Sequence, residues 1–316
     1  MKKNIVLLLI ICSLFVSING FATENYPTNP IRIIIPFNPG GGSDILTRAV
    51  DKYLNLEQPR VLIYIPGASG LLGAMETLKA QPDGYTILAH NSNNIVAQYL
   101  SDATDIMLWR ELEPICDIVM DHTVLTTNKM TGWTKFEDAL NYAKENPGKL
   151  TWGVTGARGL SAVNMLMVQE ATGVKYQMVP YDGGAATRTA LLGGHIDLET
   201  TTVSDARAVI ESGDAIPLAV LDDTRSPFLP DVPTLQEIGY DVLAFQPRSY
   251  YAPPGTPEAI IKKLAAAFEE VSKEEGFIKD MEELYLVVRF RGPEGSGQVS
   301  EDMYNDWKPI FDRYFQ

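Results

Sequence analysis

The segment PFNPGGGSD, Pro36 to Asp44, constrains what this chain can fold into more than any other stretch. It follows the β-branched run IRIIIPF (Ile31 to Phe37) and precedes the helical pattern ILTRAVDKYL. A strand that ends in consecutive glycines, then enters a helix capped by Ser43 or Asp44, leaves unpaired backbone N–H groups at the carboxyl end of a sheet. Glycine lets the backbone approach a ligand closely, and the helix N-terminus carries partial positive charge, so such a turn can cradle an anion. The contiguous Gly40, Gly41 and Gly42 do not have dinucleotide-fingerprint spacing, and no Gly-Lys-Ser/Thr closes a phosphate loop. The plain alternative is a tight turn with no ligand.

Beyond this turn, apolar extended runs alternate with helical patterns. RVLIYIP (Arg60 to Pro66) and TILAHN (Thr86 to Asn91) read as strands, with the Gly/Ser turn PGASGLLGA and its helix between them. DIVMDHTVLTTN (Asp117 to Asn128) is one long extended run, and TKFEDALNYAKENPGK is a helix with a Thr cap and a Pro-Gly stop. The alternation resumes with strands at LTWGVTG, YQMVPY, IDLETTT and IPLAVLDD. Helices are expected at Ser161 to Thr172, Ala185 to Leu192 and SDARAVIESG. A strand at RSYYAP, a helix from Pro257 to about Lys273 and a last helix from Gly297 to Phe315 close the chain. Such alternation predicts parallel sheets covered on both faces, with ligands outside the carboxyl ends of the strands. Two sets joined by one long crossing predict two α/β lobes with a cleft between them.

At the N-terminus Lys2 and Lys3 precede an apolar stretch from Ile5 to Ile18 and then Gly20-Phe21-Ala22, the pattern of a secretory signal peptide cleaved after Ala22. The expected product is a periplasmic chain with no membrane insertion. Its one remaining cysteine, Cys116, excludes an internal disulfide and reads as a core thiol. The full chain has 26 Lys+Arg and 40 Asp+Glu, a net charge of −14; without Lys2 and Lys3 the balance is −16. That acidity disfavours nucleic acid and anionic membranes as partners. His90, His122 and His195 are scattered without metal-ligand spacing. Ser69 in GASG and Ser161 in GLSA do not form a nucleophile elbow, so neither metal, cofactor nor catalysis is expected.

The motifs YPTNPIRIIIPFNPGGGSD, PGASGLLGA, QPDGYTIL, ENPGKLTWG, ATGVKYQMVPYDGG with LLGGHIDL, PDVPTLQEIGY and APPGTP occur in that order along the chain. In this it resembles the Bug-type substrate-binding receptors of tripartite tricarboxylate transporters. The resemblance implies a type II periplasmic binding protein: two α/β lobes joined by two extended crossings, with the ligand cleft between them. It also implies a monomer that binds a small carboxylate without a cofactor and delivers it to a membrane permease. A receptor that presents ligand to a membrane sensor kinase shares the fold. Residues 23–120 with 245–316 would form the first lobe and 121–244 the second, with hinges near 117–123 and 239–246.

Carried over by motif, the first-lobe grip falls on Phe37, Pro39, Gly40, Gly41, Gly42, Ser43 and Asp44, lined also by Ala68, Asn91 and Ser92. From the second lobe come Thr155, Gly156, Ala157, Arg158 and Gly159, with Tyr181 beside them and Asp205 opening a helix. Two departures from the family pattern are Arg158, in a turn that usually holds small residues, and Pro247-Arg248-Ser249, where an aromatic-Gly pair is usual. An arginine fork binds carboxylate bidentately. If either arginine faces the cleft, the ligand carries a second anionic group; otherwise both point to solvent.

Overall fold

A computed structural model describes residues 26–315. The signal segment expected at residues 1–22 lies outside the described residues. The chain begins with β1 (Ile31–Ile35), α1 (Gly42–Tyr53), β2 (Arg60–Tyr64), α2 (Leu71–Leu78), β3 (Thr86–Asn91), α3 (Ser92–Leu100), α4 (Leu108–Glu111) and β4 (Glu113–Asp121). It continues as β5 (Thr123–Asn128), α5 (Phe136–Glu145), β6 (Thr151–Thr155), α6 (Leu160–Thr172), β7 (Gln177–Tyr181), α7 (Gly184–Leu192), β8 (Leu198–Thr202), α8 (Val203–Glu211) and β9 (Ala215–Val220). It ends with β10 (Gln246–Ala252), α9 (Glu258–Lys273), α10 (Glu275–Glu283), β11 (Val287–Arg291) and α11 (Pro293–Tyr314).

These elements form two α/β lobes. The first holds a six-stranded sheet in the order β11-β4-β10-β3-β1-β2, and the second a five-stranded sheet in the order β7-β6-β8-β5-β9. β1 lies parallel between β2 and β3, and its isoleucines are buried because helices cover both faces of the sheet. α9 turns Ile260, Ile261, Leu264, Phe268 and Val271 onto that core, the three- and four-residue spacing of an amphipathic helix.

The sheets are mixed rather than parallel throughout. β4 runs into β5 across His122, so one extended path carries the chain from sheet to sheet and each sheet receives a strand whose direction the crossing dictates. β10 returns antiparallel to β4, with Gln246 opposite Asp121, and β5 lies antiparallel to both β8 and β9. Local alternation carries no record of that reversal. The last helix also begins earlier than its sequence suggests. Pro293 suits the first turn, and Gly297 and Ser296 lie against β4, where the Ser296 hydroxyl donates to Asp117 Oδ1 at 2.7 Å. Met303, Trp307, Ile310 and Phe311 of α11 join apolar residues of both lobes into one continuous core.

Candidate functional site

Residues at or near the N-termini of four helices border one cavity between the lobes, of about 500 Å³. Asn94 of α3 and Phe37 approach it from the first lobe; Leu160 and Ser161 of α6, Gly184 of α7 and Asp205 of α8 approach it from the second. The first turn of a helix leaves N–H groups without intrahelical partners, and four positive dipole ends around one space favour an anion there. Thr123 and Gln246, the first residues of β5 and β10, complete the wall at the crossings. A neighbouring cavity of about 440 Å³ shares Phe37, Asn94, Thr155 and Leu160 and extends past Ala68, Arg158 and Gly159. There Ala68 and Ser69 hold left-handed φ values of 47° and 54°, and Gln98 Nε2 donates to the Ser69 carbonyl at 3.0 Å.

The structure redistributes the residues expected from sequence. Of the glycine turn, only Phe37 reaches the cavities; Pro39, Gly40, Gly41 and Gly42 lie exposed and Ser43 half-buried, none of them on either lining. α1 begins with Gly41 as its cap and has no side-chain cap bond, so Ser43 and Asp44 do not cap it. Asp44 faces inward instead. Its Oδ2 accepts the Gly40 N–H at 2.7 Å, while Oδ1 accepts from Tyr64 Oη at 2.7 Å and Arg48 Nε at 2.8 Å. Burial raises the Asp44 carboxyl, but the Gly40 N–H, Tyr64 and Arg48 outweigh it and hold the group below its usual range. One cradle N–H is therefore already taken by this chain. Gly40 alone of the three has a positive φ, at 81°.

Asn91 and Ser92 are also occupied internally. Ser92 Oγ lies 3.1 Å from Ser249 Oγ, and Asn91 Oδ1 accepts from Arg248 Nη1 at 3.3 Å. Their neighbour Asn94, one turn further on, lines both cavities. In the second lobe Thr155 lines both cavities, while Gly156 and Ala157 line neither. The Gly156 N–H donates to the Tyr181 carbonyl at 3.0 Å, and the Tyr181 ring packs toward the Leu191 core, so Tyr181 supports the loop. A Cβ on Gly159 would stand 2.3 Å from the Thr155 carbonyl oxygen, which makes glycine necessary for this tight return.

Both arginines already have a carboxylate of this chain. Arg158 Nη2 donates to Asp102 Oδ2 at 2.8 Å, across from the first lobe, and its guanidinium sits 5.6 Å from the Phe315 ring centre. Arg248 Nη2 donates to the buried Asp121 Oδ2 at 2.7 Å, where Ser204 Oγ also donates at 2.8 Å. Within the chain, Asp102 answers the Arg158 charge at an exposed position and Asp121 answers Arg248 at a buried one.

Asn164, Glu199 and Thr200 escape sequence reasoning as lining residues, while Thr123 and Gln246 end the two expected hinge segments and Ser161 falls in the expected second-lobe turn. One signal existed for Glu199, an acidic residue inside the otherwise uncharged strand LETTT. Burial pushes its carboxyl up to about 7, against the lowering effect of Arg188 and with the help of Asp205.

Residues 47–314 match the model of the tripartite tricarboxylate transporter family receptor. The chain belongs to this receptor family. A UPF0065 protein of Bordetella pertussis is 30% identical over 271 residues, covering 84% of each chain. The protein BugT of the same organism is 29% identical over 285 residues, 87% of each. A solute-binding receptor from Polaromonas superposes with a TM-score of 0.83 at 27% identity, over 92% of this chain and 100% of that one. The periplasmic binding protein BugD does so with a TM-score of 0.72, also at 27% identity, over 91% and 98%. The architecture is that of these two-lobed receptors.

Proposed function

We propose that this receptor captures a small carboxylate in the periplasm between its two lobes and hands it to the membrane permease of a tripartite transporter. The observation that carries the proposal is the convergence of four helix N-termini on one interlobe cavity. Its volume of about 500 Å³ suits a small organic acid. Among the described residues no helix is long and apolar enough to cross a membrane, consistent with a receptor that meets its permease from outside. Residues 23–120 with 245–316 act as one lobe in this proposal and 121–244 as the other. Rotation occurs about the crossings at 117–123 and 239–246.

Melting temperature measured across a panel of mono-, di- and tricarboxylates and amino acids tests the binding step. A ligand at a hundredfold excess over its Kd adds about 2.7 kcal/mol. Uptake of the hit into permease-bearing vesicles, with and without receptor, tests delivery. No stabilisation by any acid overturns the carboxylate reading, and receptor-independent uptake overturns delivery.

A further inference from the structure

The first lobe reaches over the lobe boundary at a place that neither crossing occupies. β11 is the edge strand beside β4 in the run β11-β4-β10, and both β11 and β10 lie antiparallel to β4. Gln246, at the start of β10, faces Asp121, and Val287, at the start of β11, faces Met120. The start of β10, the β4–β5 crossing and the start of β11 thus meet the boundary in one row. From the end of that row the turn entering β11 projects onto the second lobe. Tyr285 packs against the small second-lobe cluster of Val124, Val203 and Ala206, and its ring stacks on Phe228 at 4.7 Å and 24°. The Tyr285 hydroxyl donates to Glu211, and Arg207 Nη1 donates to the Glu283 carbonyl at 2.8 Å. The Arg207 guanidinium also lies 4.9 Å from the Tyr285 ring centre. Arg289 adds a bidentate bond to Asp223, Nη1 to Oδ1 at 2.9 Å and Nη2 to Oδ2 at 2.6 Å. Tyr285 holds a φ of 59°, a left-handed backbone that an aromatic residue adopts only at a cost. Contacts across the boundary, not local preference, therefore place its ring.

We propose that residues 283–289 are a strap that forms a third, noncovalent hinge point and confines the two lobes to rotation about this row. The inference stands apart from the carboxylate reading. Two neighbouring strands lie only about 4.8 Å apart, a short base against twisting of one lobe on the other. A third point on β11 about doubles that base. Points on a rotation axis move least when a cleft closes, so the strap can persist through closure. α11 also meets α6 across the boundary, where Gln169 Nε2 donates to Tyr314 Oη at 3.1 Å, but packed helices slide in shear. The strap matters to the cleft because it grips α8. Asp205, in the first turn of α8, borders the 500 Å³ cavity, and Arg207 and Glu211 of the same helix are the residues held by the strap. Holding α8 fixes one of the four helix N-termini around the cavity against the first lobe.

Double electron–electron resonance on the mature protein, washed free of small molecules, tests the strap. Spin labels on cysteines replacing the exposed Glu76 of α2 and Lys144 of α5 report the interlobe distance, and the native Cys116 is buried. The wild-type distribution should be one narrow peak. Tyr285→Asn, which keeps a left-handed turn accessible, combined with Arg289→Met should broaden it about twofold, since the base against twisting is halved. Tyr285→Phe, which keeps the ring, should leave it narrow. Lys52→Met, which breaks the Lys52–Asp280 pair inside the first lobe, should also leave it narrow. A broad wild-type distribution, or a double variant as narrow as wild type, would overturn the strap. So would equal broadening by Lys52→Met, which would mark general loosening rather than a hinge effect. If the double variant does not fold, Arg289→Met alone decides by the same widths.

Discussion

Replacing Arg248 with Met should damage stability far more than binding. Arg248 is 16% exposed at its side chain and Asp121 is fully buried, with 2.7 Å between Nη2 and Oδ2. Removing the guanidinium leaves Asp121 with Ser204 as its one hydrogen-bonding side chain, at 2.8 Å. Breaking a buried pair from one side costs about 3–5 kcal/mol, because the remaining charge has lost its partner inside the protein. Arg248→Met combined with Asp121→Asn removes the uncompensated charge and should recover most of that loss.

The pH dependence has a definite sign. Burial already raises the Asp121 carboxyl against the pull of Arg248, and loss of Arg248 raises it further. A carboxyl whose folded pKa exceeds its unfolded one gives its full stability below the unfolded pKa and loses it as pH rises through the folded one. The deficit of Arg248→Met should therefore be larger at pH 8 than at pH 5. Urea unfolding at both values, for the two single variants and the double, measures it. A deficit below about 1 kcal/mol at pH 8, the size of an exposed pair, would refute a buried pair. Unchanged stability with a selective loss of dicarboxylate affinity would return Arg248 to the ligand.

Glu199→Gln should stabilise the ligand-free protein above pH 7: with a folded pKa near 7 against an ordinary 4.5, the charge costs about 3 kcal/mol at high pH and nothing below pH 4, so melts at pH 4 and 8 should diverge. Gly40→Val should destabilise by about 1–2 kcal/mol through its φ of 81°, while Gly41→Val, at φ −80°, should be tolerated; equal melting temperatures would refute the assigned turn. Arg158→Ala should change stability by less than about 1 kcal/mol, since Asp102 is 82% exposed, and a larger loss in urea unfolding would contradict a surface pair.

Much of the architecture is legible along the chain because its causes are local. The buried run IRIII, the β-α alternation and the four-residue-spaced helices follow from side-chain size and period, and the ordered motifs point to the receptor family, whereas the caps do not: α1 starts from Gly41 and α5 from Lys135 rather than from the expected Ser, Asp or Thr. The loops between strand ends and helices were locatable for the same reason, and Thr155 and Asp205 do border the cavity. What the sequence could not supply was which side chains remain free. Asp44 closes on the cradle itself, held by Gly40, Arg48 and Tyr64, the last of these on β2 and 20 positions away. Arg158 and Arg248 find their carboxylates 56 and 127 positions away, on Asp102 and Asp121. The reversal of β10 and the buried Glu199–Arg188 pair likewise emerge only when separate segments meet. Pattern and period specify elements; the partner that satisfies or leaves open a charge is set by long-range packing, and so the chemistry of the cleft was decided by the tertiary structure.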